Sequence, residues 1–255
     1  MQTQIYALSD VHGYLAAFNA AMAQVPLTQT ETELLIMGDL IDGGPDSGAV
    51  VQKVYDLVRE YPHRVHFLLG NHEAMFLDFL FGNNDTDWLS ADVDLNTVKS
   101  FLSEQQLQEL MQTIREDPAQ LRDLVRNKLL ATQGPLFKWL RTQQHNLFIE
   151  TDTQIFVHAG VDEDAGNLWR IGTSDETFYG QYPPQTGTFL KTVIAGHVGS
   201  AEVAHNRKYL GHVYWDHASH IFIDGTVSES GVIPVLHYDG LTGSYTEVGS
   251  QELIK

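Results

Sequence analysis

Five short apolar runs, at residues 5–8, 34–37, 65–69, 155–157 and 193–195, each stop at a small cluster of Gly, Asp, His or Asn. Runs of this length read as buried strands. The clusters that close them are Asp10-Val11-His12-Gly13, Gly38-Asp39-Leu40-Ile41-Asp42-Gly43, Gly70-Asn71-His72-Glu73, His158-Ala159-Gly160 and Gly196-His197. In α/β chains the carboxyl ends of strands are where a site is assembled from segments distant in sequence. Five such ends converging on one place would account for all five clusters, and that requirement points to an α/β (α+β) fold.

Between the first runs the spacing turns helical. Residues 14–25 and 48–61 carry apolar side chains at helical intervals after Gly-containing turns, a β-α-β-α-β start that leads to Asn71. A helical stretch follows, with signals at 73–81, 97–102, 104–116, 118–130 and 135–141, where Asp117-Pro118 and Gly134-Pro135 read as helix boundaries. Strand signals return at 154–158, 192–195, 220–224, 233–238 and 244–248. There is no internal repeat and no low-complexity linker. The expected organisation is therefore one domain over residues 1–255, with about 74–148 as a helical insertion or cap over one face.

Composition narrows the chemistry. The 255 residues are enough to bury a sizeable core. The absence of cysteine rules out disulfides, thiolate ligands and a cysteine nucleophile, leaving nitrogen and oxygen donors for any metal. With 15 Lys plus Arg against 33 Asp plus Glu, the net charge is −18, which argues against a nucleic-acid partner because counterion release needs clustered basic side chains. No apolar run is long enough to cross a bilayer, so no membrane partner is expected. The start Met1-Gln2-Thr3-Gln4-Ile5 lacks the features of a secretory signal, and a cytoplasmic location is the expectation. The sequence assigns no oligomeric state.

Asp10 and His12 are one residue apart, so on an extended strand end both side chains would point to the same side and grip one cation. Asp39 has two carboxylate oxygens, and if it bridged two metals they would lie roughly 3.5–4 Å apart. Asn71, His158 and His197 would then complete the shell of the second metal with a neutral amide oxygen and two imidazoles. A mixed nitrogen and oxygen set of this kind suits manganese, iron, zinc or similar ions.

Taken in order, Asp-x-His-Gly, Gly-Asp-x-x-Asp, Gly-Asn-His-Glu, His-Ala-Gly and Gly-His resemble the calcineurin-like metallophosphoesterases, and more narrowly the phosphoprotein phosphatase type found among bacterial and phage serine/threonine phosphatases. The resemblance spans residues 10–197 and extends to Ile223-Asp224-Gly225. It implies a four-layer fold, a central β-sandwich flanked by helices, with two divalent metal ions at the strand ends, manganese being the first expectation. Asp10, His12 and Asp39 would hold one ion; Asp39, Asn71, His158 and His197 would hold the other. It also implies that His72 is the general acid and that Asp42 orients it. An alkoxide leaving group needs a proton, and imidazole supplies one near neutral pH. The implied reaction is in-line attack on phosphorus by a hydroxide bridging the metals while His72 protonates the departing oxygen.

The expected substrate is a phosphorylated protein or a small phosphoester, with phosphoserine and phosphothreonine first. The alternatives are a symmetrical dinucleoside polyphosphate hydrolase, which also carries Leu-Gly-Asn-His as Leu69 to His72 do here, and a catalytically quiet metal-binding regulatory protein. Two positions depart from the protein phosphatases: Gly43 and Leu69 stand where arginines help to clamp phosphate. Arg170, in Leu168-Trp169-Arg170, is the candidate replacement clamp, against the reading of a surface arginine packed on Trp169. Glu73, at the start of a helix, reads as compensating the helix dipole. With Asp10 and Asp39 as the only carboxylates in the metal shell, two divalent ions would leave the site near +2 and able to draw phosphate in. Arg207, Lys208 and His205, His212, His217, His220 and His237 are assigned to turns and local partners.

Overall fold

The computed structural model describes residues 3–82, 88–250 and 254. Among them ten strands form two five-stranded sheets. The first contains β1 (Gln4–Leu8), β2 (Thr32–Ile36), β3 (Val65–Phe67), β9 (Leu236–Asp239) and β10 (Ser244–Glu247), in the order β10-β9-β1-β2-β3. The second contains β4 (Phe148–Glu150), β5 (Gln154–Val157), β6 (Thr192–Ala195), β7 (Tyr214–Trp215) and β8 (His220–Phe222), in the order β4-β5-β6-β8-β7. β1, β2 and β3 run parallel, as do β5, β6 and β8, and antiparallel strands occupy the remaining places.

Strand alternation explains why these runs are continuously apolar. Ile5, Ala7, Leu35 and Met37 of the first sheet pack against Phe156, Ile194 and Ile221 of the second, forming the seam between the sheets. Their neighbours Leu8, Leu34, Ile36, Ile155, Val157, Val193 and Ala195 join the helix-covered cluster outside. A strand buried on both faces has no position left for a polar side chain. Each fully buried Leu, Ile or Phe contributes about 1.5–3 kcal/mol. The result is a mixed α/β structure of two packed sheets with helices outside.

α1 (Leu15–Met22) and α2 (Ser47–Glu60) are the crossovers between β1, β2 and β3. After β3 come α3 (Asn71–Phe81), α4 (Trp88–Ala91), α5 (Asn96–Ser100), α6 (Glu104–Glu116) and α7 (Leu121–Thr142). α6 starts on a capping box, in which Ser103 Oγ accepts from Gln106 N–H and the Gln106 side chain accepts from Ser103 N–H at 2.8 Å. Phe76, Trp88, Phe101 and Phe137 pack together, and Trp139 meets Tyr55 of α2 and Phe67 of β3, so the helical stretch shares one apolar cluster with the first sheet's helices. The outer face of the second sheet carries α8 (Trp169–Gly172) and α9 (Asp175–Gly180), through Phe148, Trp169 and Phe178. α10 (Ser200–Val203) and α11 (Val227–Ser230) are single turns.

Several boundaries differ from the sequence reading. Residues 121–130 and 135–141 belong to one helix, α7, which a 3-10 turn at Pro118–Gln120 precedes and which is irregular at Gln133 (φ −123°, ψ 17°) just before Gly134-Pro135. Proline there removes one helical N–H and bends the helix without ending it. β4 and β7, strands of three and two residues, were not expected; both lie at sheet edges, where few contacts are needed to hold a strand. Among the described residues no helix is long and apolar enough to cross a membrane.

Candidate metal centre

The carboxyl ends of β1, β2, β3, β5 and β6 bring Asp10, His12, Asp39, Asn71, His72, His158 and His197 together. Asp39 lies at the middle. Its Oδ2 is 3.4 Å from His158 Nε2, 3.8 Å from His12 Nε2 and 3.9 Å from His72 Nε2, while Oδ1 accepts from the His72 backbone N–H at 3.1 Å. His12 Nε2 is also 3.9 Å from Asp10 Oδ1, and Asn71 Oδ1 is 3.1 Å from His158 Nε2. The rings of His158 and His197 meet edge to face at 5.2 Å, and the His197 backbone N–H donates to Asp10.

Second-nitrogen contacts fix the imidazoles. His158 Nδ1 donates to the Met37 carbonyl at 2.6 Å, and His12 Nδ1 to the carbonyls of Ile41 and Asp42 at 3.0 and 2.9 Å. In both residues Nε2 is thereby the nitrogen aimed inward, the usual support for a metal-ligating histidine. Potential ligand atoms of His12, Asp39 and His72 lie within 4.8 Å of one another, as do those of Asp39, His158 and His197. Donor type and geometry therefore fit divalent cations.

How Asp10 and His12 reach this place is a correction to the sequence reading. They are not on an extended strand end: β1 stops at Leu8, and both have left-handed backbones (φ 56° and 46°). Asp39, Asp42 and His197 share that conformation (φ 53°, 68° and 64°). For residues with a Cβ this costs of order 1–3 kcal/mol each and persists only where the surroundings enforce it, a pattern typical of functional sites. Gly70 is required for a different reason: a Cβ there would run into the Asp39 carboxylate and backbone N–H.

Glu73 does more than compensate a helix dipole. Fully buried, it reaches from the first turn of α3 and accepts from the backbone N–H groups of Asp39 (2.8 Å), Leu40 (2.7 Å) and Gly70 (3.2 Å), locking the Asp39 loop to the α3 start. Burial, reinforced by Asp39, raises its pKa to about 7 despite these donors. Asp224, just past β8, is a second addition: it is buried near Asp10, and burial and the Asp10 charge push it up to about 7. The charge count must be revised accordingly. Asp10, Asp39, Asp42, Glu73 and Asp224 are all buried, and their hydrogen-bond partners are imidazoles, an indole, a hydroxyl and backbone N–H groups. Such a concentration of carboxylate is stabilised by positive charge, from protonated imidazoles or from bound cations.

His72 Nδ1 donates to Asp42 Oδ2 at 2.8 Å. Burial alone would lower the His72 pKa, but the Asp42 bond and the Asp39 and Asp42 charges raise it to about 9. For His158, burial opposes and Asp39 outweighs it, giving about 10; the same histidines hold Asp39 well below the carboxylate range against its own burial. A cation seated among these atoms would displace the protons on its ligands.

Arg170 does not join the centre. Its guanidinium, with its side chain 60% exposed, pairs with Glu150 and lies 5.8 Å from the Trp169 ring centroid. Glu150 sits opposite Ile155, three residues upstream of His158, or about 10 Å away along the strand. Gly43 has φ 126°, a backbone that favours glycine, so an arginine at this position would require the turn to change. Leu69 is buried, its backbone N–H donating to Asn146.

The architecture and donor set together define a metal-dependent phosphoesterase class of protein. The chain belongs to the calcineurin-like phosphoesterase family, whose model matches residues 3–200. It is 33% identical over 93 residues to a symmetrical bis(5'-nucleosyl)-tetraphosphatase of Legionella pneumophila, covering 36% of this chain and 32% of that protein, so it spans about a third of that relative's length. Among solved structures it resembles a cold-active protein tyrosine phosphatase of a Shewanella species (TM-score 0.61, 18% identity, covering 100% of this chain and 81% of that one). It also resembles a serine/threonine phosphatase of Saccharomyces cerevisiae (TM-score 0.53, 13% identity, 92% and 72%). At these identities the structural likenesses establish the fold.

Proposed function

We propose that the chain is a two-metal phosphomonoesterase acting on phosphoserine or phosphothreonine in proteins. In this reading Asp10, His12 and Asp39 hold one divalent cation and Asp39, Asn71, His158 and His197 the other. Manganese is the ion the family resemblance puts first, and manganese, iron and zinc all fit this mixed nitrogen and oxygen set. The observation that carries the reading is the His72–Asp42 pair, joined at 2.8 Å beside the donor set.

Bound there, the cations supply charge neutralisation and an activated water to in-line displacement at phosphorus. The chain's own part is positioning and proton transfer. Asp42 holds the Nδ1–H of His72, so Nε2–H is the proton available to the oxygen that leaves. A departing serine or threonine alkoxide is strongly basic and needs that proton. Glu73 keeps the Asp39 loop against the start of α3, fixing Asp39, Asn71 and His72 relative to one another.

A second reading is a symmetrical dinucleoside tetraphosphate hydrolase. It is favoured by the activity named for the Legionella relative and by Arg170 being tied to Glu150 instead of standing at the centre. The leaving group of a phosphoanhydride is less basic and depends less on an acid, so the demand placed on the His72–Asp42 pair differs between the two readings. The test is a panel of phosphopeptides, a dinucleoside tetraphosphate and a phosphodiester offered to metal-reconstituted protein. Phosphate release from the phosphopeptides is expected. Exclusive cleavage of the dinucleotide would overturn the first reading in favour of the second, and binding of metal without turnover of any substrate would overturn both.

A further inference from the structure

The carboxylate beneath His72 has more partners than its imidazole requires. Asp42 Oδ2 accepts from His72 Nδ1 and also from the indole Nε1 of Trp88, both at 2.8 Å. Its other oxygen accepts from Thr97 Oγ1 at 2.7 Å, and that same hydroxyl accepts from the Asp42 backbone N–H at 3.1 Å. An aspartate carboxylate rotates through a broad, two-fold torsion. Donors on both oxygens, arriving from three separate segments, remove that freedom.

The two additional donors are themselves held. Trp88 is buried against Phe76 and Phe79, at ring-centroid distances of 4.7 and 5.1 Å, and both belong to α3, the helix whose first turn carries His72. Thr97 is fully buried, and its backbone N–H and that of Val98 donate to the buried Asp92 carboxylate at 2.8 and 3.0 Å. Asp94 and Leu95 take left-handed backbones (φ 54° and 56°), the sharp reversal that turns the chain back from Asp92 to Thr97.

From this geometry we propose that Trp88 and Thr97 are positioning residues that lock the Asp42 carboxylate and thereby aim the His72 imidazole at the departing oxygen. The proposal rests on the reading of His72 as the general acid. It gives the segment from Trp88 to Thr97 a part in the chemistry although neither residue touches substrate.

The test compares Trp88→Phe, which keeps an aromatic ring against Phe76 and Phe79, with Thr97→Val and the hydroxyl-retaining Thr97→Ser. The substrates are a series of phosphate monoesters whose leaving alcohols rise in basicity. Positioning of an acid predicts that kcat falls in Trp88→Phe and Thr97→Val by about tenfold or more for the most basic leaving group, that the loss shrinks as basicity falls, and that Thr97→Ser restores most of it. A second readout uses metal-free protein: the His72 Nδ1–H proton, bonded to a carboxylate, is expected far downfield in the NMR spectrum, shifted or lost to solvent exchange in the two deficient variants and recovered in Thr97→Ser. A loss equal across all leaving groups, with the resonance in place in both variants, would overturn the proposal. If the native protein hydrolyses no monoester, the functional reading fails, while the resonance still decides whether the two residues hold the pair.

Discussion

Replacing Glu73 with glutamine changes one oxygen for an NH2 in a place where three backbone N–H groups converge. In its better orientation the amide carbonyl takes the position of Oε2 and keeps the Asp39 and Gly70 bonds, while the NH2 faces the Leu40 N–H that now lies 2.7 Å from Oε1. One charge-assisted bond is lost, worth about 1.5–3 kcal/mol, and two donors are left facing each other. A total near 3 kcal/mol corresponds to a melting temperature about 10 °C lower in a chain of this size. The Asp39 loop loosens with it, and supporting contacts of this kind typically control about 10- to 100-fold in metal affinity. An opposing effect could cancel the loss: with the Glu73 pKa raised to about 7 by burial and Asp39, a protonated side chain would already resemble glutamine. Thermal melting of chelator-treated protein at pH 8, where the carboxylate is ionised, combined with a manganese titration, separates the two. Unchanged melting and unchanged affinity in Glu73→Gln would refute the role of the carboxylate as the lock on Asp39.

Other perturbations follow from the same geometry. His72→Asn is expected to lower kcat on a phosphoserine peptide by about 10²- to 10⁴-fold in steady-state assays while leaving the metal content, measured by elemental analysis, at its native level. Buried His220 sits between Glu163 (2.5 Å) and Asp216 (3.1 Å); burial lowers its pKa, but these carboxylates raise it above the ordinary imidazole value. Its stabilisation is therefore complete below about pH 6.5 and is lost as pH rises through the elevated folded-state pKa. His220→Asn should cost about 3 kcal/mol near pH 6 and less in alkali, seen as a melting difference that narrows with pH. Gly43→Arg should destabilise by about 1–3 kcal/mol in denaturant titrations, because φ 126° suits glycine, and any gain in substrate binding would have to exceed that strain.

The parts of the fold legible in the sequence were those set by local pattern. Buried strands made of Leu34–Ile36 or Ile155–Val157 have no polar position, so both their existence and their ends stand out. The clusters following them mark loops that meet because parallel strands align their carboxyl ends. Less legible were features decided across the chain. The left-handed backbones of Asp10 and His12 come from the packing of two loops, where Gly44 N–H donates to the His12 carbonyl, and extended-strand geometry predicts the wrong route to a correct proximity. Glu73 acts on a loop 33 and 34 residues away, a role that spacing within its own helix does not contain, although its place three residues after Gly70 was a signal for a side chain that reaches backward. Trp88 and Thr97 meet Asp42 from 46 and 55 residues along, and nothing in their local sequence distinguishes an indole or hydroxyl with a carboxylate partner from an ordinary core residue. The partner that Arg170 takes in this structure, Glu150, lies on a short edge strand the sequence did not reveal.

The arrangement has one arbiter that touches every part of it, since His72 lies close enough to His12 and Asp39 to be read geometrically as a ligand. A crystal grown with manganese, with the ions located by their anomalous scattering, distinguishes acid from ligand. The account predicts two ions about 3.5–4 Å apart on either side of Asp39, with His72 bonded to Asp42 and coordinated to neither. A single ion held by His12, Asp39 and His72 would contradict it.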